Sequence, residues 1–201
     1  MSHVRRGPQL LVLLAALLAG LATLAAPTSA GAAPGLAAYR SPVDPYPRYE
    51  PQKHCISEVR AGTRAYANML TSRYGGRIIG ITRACNVGGQ SEHKESRAID
   101  WNLDARTASG RDTFGRYLRE MRAFEGNQYA ALARRYGVAY IIFNDKIWSA
   151  WNGYQERPYR HASCKDLWDI RNCPATLRHL DHVHVTLSWT GANGHTTAYR
   201  R

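Results

Sequence analysis

Two short segments, more than eighty positions apart, carry side chains of the types that bind divalent metal ions. His93 and Asp100 lie in the first segment, and His182 and His184 lie in the second. Two imidazoles and one carboxylate suit an ion such as zinc and leave one coordination position for water. An acidic residue beside the ion, here Asp181, completes the composition of a hydrolytic centre. The sequence therefore predicts one Zn²⁺ ion and favours an enzyme.

Alternation within two predicted strands directs these side chains. In HVHVTL (182–187) both histidines point to one face and the valines to the other. In RAIDWNL (97–103), Asp100 lies on the polar face and Trp101 on the apolar one. Strict alternation would send Asp181 to the face opposite His182. A position for Asp181 beside the metal therefore requires the strand to begin at or after residue 182.

The remaining periodic segments predict a small α+β domain. A helix is expected from about residue 57 to the Gly75-Gly76 pair, and a helical stretch over 112–136 is broken near Gly126. A tight turn is predicted at Asn144-Asp145. Further strands are predicted at 77–83, 138–143 and 146–150. We expect a mainly antiparallel sheet with helices packed on one side.

The N-terminal region has the composition of an export signal. Arg5 and Arg6 precede an apolar run, 10–26, that is followed by small residues. We expect a signal peptide over 1–32, an extended linker or arm over 33–52 and a single domain over 53–201. A retained membrane anchor is the competing interpretation of the apolar run, but no basic cluster follows it.

Charge indicates the surroundings of the mature chain. Removing residues 1–32 takes away two arginines and no acids, so the net charge falls from +12 to +10. Such a surface favours an anionic cell wall. No basic stripe with interleaved aromatics occurs, so we expect no specific nucleic-acid partner. We also expect no membrane association after signal removal, and a monomer.

The cysteines point to an oxidising compartment. All four lie in the predicted exported part: Cys55, Cys85, Cys164 and Cys173. An even number in such a compartment predicts two disulfides, and three pairings are possible. We favour Cys55 with Cys85, which would tie a helix start to the loop that leads to His93. Cys164 with Cys173 would then close a short loop just before Asp181.

Here the two segments resemble a known family. Residues 93–100 (HKESRAID) are similar to the H-x-x-G-x-A-x-D signature of zinc peptidases, and 181–184 (DHVH) resembles its second half. That group contains D-Ala-D-Ala carboxypeptidases, L-alanyl-D-glutamate endopeptidases and lysostaphin-type enzymes with the hedgehog fold. The resemblance implies that fold, with His93, Asp100 and His184 as ligands and Asp181 as general base. One departure is Ser96, where the signature has glycine.

Other candidate residues surround this set. His182 already faces the site, so it is the alternative base, or it holds the oxyanion. Related enzymes place an arginine near Arg83 that polarises the scissile carbonyl; a surface arginine at a strand end is the alternative. Ser91 and His179 are candidates for orienting a ligand or the substrate.

Several aromatic and charged residues have two interpretations. Trp101 lies on an apolar face and is expected in the core, whereas Trp148, Trp151 and Trp168 could instead line a groove for sugar or peptide. The Lys94-Glu95 and Arg134-Arg135 pairs are expected to be solvated.

The sequence thus favours a secreted, wall-associated zinc peptidase that hydrolyses amide bonds in peptidoglycan stem peptides or crosslinks. Its composition is similar to that of secreted proteins of high-GC Gram-positive (actinobacterial) organisms. The alternative is a non-catalytic wall-binding or interaction module that retains the fold, with zinc structural or absent. A secreted nuclease is supported only by charge and the His/Asp cluster.

Overall fold

One antiparallel sheet of six strands positions the candidate site. The computed structural model describes residues 42–164 and 172–200. The strands are β1 (Ile78–Gly80), β2 (Ala98–Trp101), β3 (Val138–Phe143), β4 (Lys146–Ser149), β5 (Glu156–Pro158) and β6 (Val183–Leu187). Their order in the sheet is β1-β2-β6-β3-β4-β5. The predicted signal peptide, residues 33–41 of the predicted arm and Trp168 lie outside the described residues.

Strand β6 runs through the middle of the sheet, between β2 and β3. Val183, Val185 and Leu187 are fully buried on its apolar face. The alternate residues, His184 and Thr186, lie on the other face, as the sequence predicts. His184 pairs directly with Asp100 of β2, so the register itself brings two candidate ligands together.

The hairpin between β3 and β4 has the predicted tight turn. Phe143 pairs with Lys146, which leaves a two-residue loop. Asn144 and Asp145 both have positive φ, 52° and 61°. Two left-handed residues give the turn that matches the twist of a hairpin, and Asn and Asp tolerate that conformation best after glycine.

The helices are α1 (Ala61–Tyr74), α2 (Ala108–Met121), α3 (Ala131–Tyr136) and the short α4 (Trp189–Ala192). The helical stretch predicted over 112–136 is therefore two helices, separated by residues 122–130. Helix α1 begins at Ala61, later than the predicted start near residue 57. The Thr107 hydroxyl accepts a hydrogen bond from the Gly110 amide (3.0 Å) and caps α2.

Helices α1 and α2 share one hydrophobic core with the apolar face of the sheet. Leu70 of α1 and Tyr117 of α2 belong to the same buried cluster as Ile99, Trp101 and Val185. The prediction of an α+β domain on an antiparallel sheet is confirmed, and so is the burial of Trp101. Within the described residues, no helix is long and apolar enough to cross a membrane.

Both favoured disulfides are present. Cys55 pairs with Cys85 and Cys164 with Cys173, at Cα separations of 5.8 and 5.3 Å. The first bond joins the segment before α1 to the loop that leads to His93. Two disulfides suggest an extracellular location.

Residues 42–52 contain no helix or strand and pack against the domain through backbone carbonyls; we call them the arm. The Glu50 carbonyl accepts a hydrogen bond from Arg97 Nη2 (2.7 Å), and the Asp44 carbonyl accepts one from Arg134 Nε (2.7 Å). Asp44 also binds Thr197, near the other end of the described chain.

The expectation of solvated charge at two residue pairs is wrong. Lys94 and Glu95 are 6% and 0% exposed, and Arg134 and Arg135 are 8% and 1% exposed. Glu95 accepts two hydrogen bonds from Arg97, and Arg135 pairs with Glu125. Arg134 and Glu95 also bind the backbone of residues 44, 53 and 54, which lie far away in the chain, and a local charge pattern does not reveal such contacts.

Candidate metal centre

Three side chains from separate elements meet on the polar face of the sheet. His93 Nε2 lies 3.1 Å from Asp100 Oδ1 and 3.3 Å from His184 Nδ1. His184 Nδ1 lies 3.0 Å from the same carboxylate oxygen. All three ligand atoms lie within 4.8 Å of one another, and the group could hold a metal ion. The sequence-predicted ligand set is thus brought together.

The outer nitrogens of both imidazoles are hydrogen-bonded to the protein. His93 Nδ1 lies 3.0 Å from the Ile81 carbonyl oxygen, and His184 Nε2 lies 2.9 Å from Thr186 Oγ1. A carbonyl oxygen only accepts, so His93 carries a hydrogen on Nδ1, and Nε2 is the nitrogen that faces Asp100 and His184. Outer contacts of this kind orient the nitrogens of metal-bound histidines.

Electrostatics favour a cation between these donors. Burial lowers the pKa of His184, against the effect of the neighbouring Asp100. Burial raises the pKa of Asp100, but hydrogen bonds from His184 and His93 outweigh it and hold that pKa well below its usual range. A neutral His184 and an ionised Asp100 are the protonation states that ligands need. Two imidazole lone pairs and a carboxylate fit a divalent ion, without selecting zinc among such ions.

A short 3₁₀ turn, Glu92–Glu95, places His93. Ser96 ends the turn with φ 56° and ψ 33°, in the left-handed region. That conformation costs a residue other than glycine about 1–2 kcal/mol. Contacts with α1 and the residue before it hold it: the Ser96 hydroxyl accepts from the Arg60 amide (3.1 Å), and its carbonyl accepts from the Thr63 hydroxyl (2.7 Å).

Asp100 lies where the cluster is most open. Its side chain is 18% exposed, against 3% for His93 and 10% for His184. On the neighbouring strand β1, Gly80 pairs with Asp100, and a Cβ at that glycine would lie 3.1 Å from Asp100 Oδ2. Gly80 therefore leaves space beside the carboxylate.

His182 and Asp181 form a hydrogen-bonded pair beside the cluster. His182 Nδ1 lies 2.7 Å from Asp181 Oδ1, and His182 Nε2 lies 3.5 Å from Asp100 Oδ1. The other Asp181 oxygen accepts from the Thr176 hydroxyl (2.7 Å). Burial raises the pKa of Asp181, but the bonds from Thr176 and His182 outweigh it and lower that pKa. Because β6 begins at residue 183, Asp181 precedes the strand and is not subject to its alternation of faces. Its carboxylate contacts the His182 nitrogen that points away from Asp100.

His179 also reaches the site. Its ring centroid lies 4.7 Å from that of His182 and 5.7 Å from that of His184. Its Nδ1 atom is buried and has no hydrogen-bond partner among the described residues. Burial first, and then the neighbouring His184 and His182, lower its pKa to about 2, so the ring is neutral near pH 7.

Ser91 and Arg83 lie at the edges of the site. Ser91 precedes the turn that carries His93 and is buried, and its amide lies 3.2 Å from Gln52 Oε1. Arg83 lies beyond the end of the short strand β1, with its backbone amide donating to the His93 carbonyl (3.2 Å). Its side chain is exposed.

Sequence reasoning assigned no role to three residues around the ligands, which are Glu92, Tyr140 and Thr186. Tyr140 stacks on His184 with centroids 5.6 Å apart, and its hydroxyl donates to Glu92 Oε2 (2.8 Å). Thr186 holds the outer nitrogen of His184. A signal was present for two of them, because Tyr140 and Thr186 occupy the polar-face positions of their strands.

The fold and the cluster together define an α+β domain with a candidate metal centre. The family model described as VldE, C-terminal domain matches residues 55–165, more than half of the chain, and the chain belongs to this family. The matched segment contains His93 and Asp100 and ends before His184. No curated protein and no solved structure matches the chain. The likeness to zinc peptidases rests on the two motifs.

Proposed function

We propose that this protein is a secreted zinc peptidase that hydrolyses amide bonds in peptidoglycan. The observation that carries the proposal is the convergence of His93 Nε2, Asp100 Oδ1 and His184 Nδ1 at separations of 3.0–3.3 Å. When bound there, zinc supplies a Lewis acid that polarises a carbonyl group and makes water more acidic.

The left-handed Ser96 supports the likeness to the zinc peptidases. It occupies the signature position where those enzymes have glycine, and its φ of 56° is one that glycine adopts most readily. The position of Ser96 in the motif and its left-handed backbone conformation thus both match the glycine of the signature. We therefore extend the proposal to the fold, as a hedgehog or D-Ala-D-Ala peptidase-like domain.

His182 is the group that we assign to proton transfer. Asp181 accepts the hydrogen on His182 Nδ1, which leaves the lone pair of Nε2 directed at the site. That nitrogen can take a proton from the attacking water and give it to the leaving amine. Both oxygens of Asp181 are already hydrogen-bonded, so its role becomes that of a positioning residue that fixes the tautomer of His182. The signature alone favours the opposite assignment.

His179 completes the set. Its ring packs on His182 (4.7 Å between centroids) and its Nδ1 is buried, so we assign it to positioning His182 and not to direct contact with the substrate. The Arg83 side chain is exposed at the edge of the site. A peptidoglycan substrate is supported by the motif resemblance, by the positive net charge and by the two disulfides.

The test is muropeptide digestion by the mature protein, with products analysed by mass spectrometry. We expect new amine termini that are lost with His184→Ala, which also lowers the zinc content. Asp181→Asn should keep zinc and lower the rate on the order of 10²- to 10⁴-fold. His195→Ala, an exposed histidine, is the matched control and should retain activity. Unchanged muropeptides with stoichiometric zinc would refute the peptidase.

A non-catalytic wall-binding module with a structural metal is the second candidate. Burial of the ligands supports this candidate, because structural metal sites are closed to water. The imidazoles of His93 and His184 are only 3% and 10% exposed, and His182 Nε2 lies close enough to Asp100 to be a fourth ligand. Zinc content of His182→Ala separates the two candidates. A catalytic role for His182 predicts unchanged zinc, whereas a fourth ligand predicts weaker binding.

A further inference from the structure

A continuous row of aromatic rings leads away from the candidate metal centre. Tyr140 stacks on His184 (5.6 Å between centroids, 20° between planes). The Trp151 ring lies 6.0 Å from Tyr140, and the Tyr49 ring lies 5.3 Å from Trp151. We call Tyr49, Tyr140 and Trp151 the aromatic row. Its members come from the arm, from β3 and from the 3₁₀ turn Ala150–Asn152.

The outer part of the row is exposed. Tyr49 is 54% exposed and Trp151 is 43% exposed. Tryptophan is highly buried on average, and adjoining exposed aromatic rings mark sites of interaction more often than isolated ones. Because the row begins on a candidate ligand, whatever covers it also lies next to the metal centre.

Hydrogen bonds hold the Tyr140 side chain and the residue next to Tyr49. The Tyr140 hydroxyl donates to Glu92 (2.8 Å), the residue before His93. Glu50, the residue after Tyr49, accepts from Arg97 through its carbonyl and from the Trp189 amide through its carboxylate (2.9 Å). A surface that is ordered before binding loses little conformational entropy when a ligand arrives.

A pyranose ring fits this surface. Its flat C–H face packs on indole and phenol rings, while its hydroxyl and amide substituents require polar partners at the edges. The exposed Asn152, which follows Trp151, is such a partner at the outer end of the row, and the largely buried Glu92 carboxylate, which binds the Tyr140 hydroxyl, lies at its inner end.

We propose that the aromatic row is a saccharide subsite, which binds a sugar of the glycan strand whose attached peptide is hydrolysed. This inference rests on the proposed function and names the substrate more narrowly. A sugar on Trp151 is two ring steps, 6.0 and 5.6 Å, from the His184 ring. Extended peptide spans about 3.3–3.6 Å per residue, so roughly three residues cover that distance. The subsite thus selects glycan-linked stem peptides and an amide close to the sugar.

The test begins with binding of a peptide-free N-acetylhexosamine trisaccharide to the mature protein, measured by NMR titration. We expect shifts that saturate, and an affinity about tenfold weaker in Trp151→Ala and in Tyr49→Ala. Phe124→Ala is the matched control, because Phe124 is 69% exposed and packs on Tyr129 outside the row. The three variants must keep the circular dichroism spectrum of the parent. No binding, or an equal loss in Phe124→Ala, would overturn the subsite.

A second measurement compares hydrolysis of glycan-linked and free stem peptides. Trp151→Ala should lower kcat/KM about tenfold for the linked substrate only. An equal loss on both would mean that the row binds peptide, and would overturn the inference. Trisaccharide binding without any hydrolysis would leave the subsite in place and refute the peptidase, so the two proposals fail separately.

Discussion

Replacing Glu95 with glutamine removes the most deeply buried carboxylate among the ion pairs of the described residues. The side chains of Glu95 and Arg97 are 0% and 1% exposed. Glu95 Oε1 accepts from the amides of Lys53 and His54 at 2.7 and 2.8 Å. Its Oε2 accepts from Arg97 Nε and Nη2 at 2.9 and 2.6 Å. All four partners are N–H donors.

The size of the effect follows from this geometry. Whichever way the glutamine amide is turned, its NH₂ group faces N–H donors, and Arg97 loses its compensating charge. Removing one partner of a buried ion pair costs about 3–5 kcal/mol. For a domain of this size each kcal/mol lowers Tm by about 2–4 °C, so we expect a decrease of roughly 6–20 °C for Glu95→Gln.

The assay is thermal unfolding for Tm and urea unfolding for the free energy, both with the oxidised protein and both followed by circular dichroism. Glu156→Gln is the control, because Glu156 pairs with Lys146 at 2.7 Å with side chains 50% and 45% exposed. Exposed pairs contribute about 0–1 kcal/mol. If Glu95→Gln were no more destabilising than Glu156→Gln, the buried pair would not stabilise the fold as argued.

Three further predictions concern metal, pH and packing. A chelator should lower the Tm of the mature protein, because an ion whose free concentration is 1,000 times its Kd stabilises the folded state by about 4 kcal/mol. The Tm of His93→Ala should not change when chelator is added. A wild-type Tm that chelator leaves unchanged would contradict the metal site. Burial raises the pKa of Tyr66 and Tyr117, so the stability they contribute is complete below about pH 10 and is lost as pH rises further. Their phenolate absorbance should then appear only together with loss of circular dichroism; complete titration of the tyrosines in the folded state would refute this. Gly62→Ala would place a Cβ 2.0 Å from a backbone oxygen of α4, so it should lower the free energy of unfolding by about 1–3 kcal/mol or more. In Gly115→Ala the new Cβ meets only a flexible arginine side chain at 3.4 Å, so this variant should raise the free energy of unfolding by about 0.5–1 kcal/mol. Both values are measured by urea unfolding. Equal stability of the two variants would contradict the packing argument.

Much of the candidate site could be predicted because it follows from strand alternation. The two-residue period places His182 and His184 on one face, and Asp100 on the polar face of its own strand. The family motifs then connect the two strands. The turn at Asn144-Asp145 was also predictable, because these two residue types themselves favour the left-handed backbone conformation that the turn requires.

What the sequence did not reveal depends on contacts between distant segments. The burial of Arg134 requires the carbonyl of Asp44, ninety positions away. Likewise, the aromatic row requires the arm to lie against the turn that carries Trp151. The relation of Asp181 to His182 depends on where β6 begins, and strand boundaries are set by tertiary pairing as much as by local pattern.

The hydrogen bond from the Thr197 amide to the Asp44 carboxylate spans 153 positions (3.0 Å). Such a contact closes late, because the entropy of the intervening loop must be lost first. Tyr49 belongs to the same arm. The aromatic row is therefore complete only after both ends of the described domain have come together, so its assembly depends on the fold of the whole domain and not on the strands that carry the metal ligands.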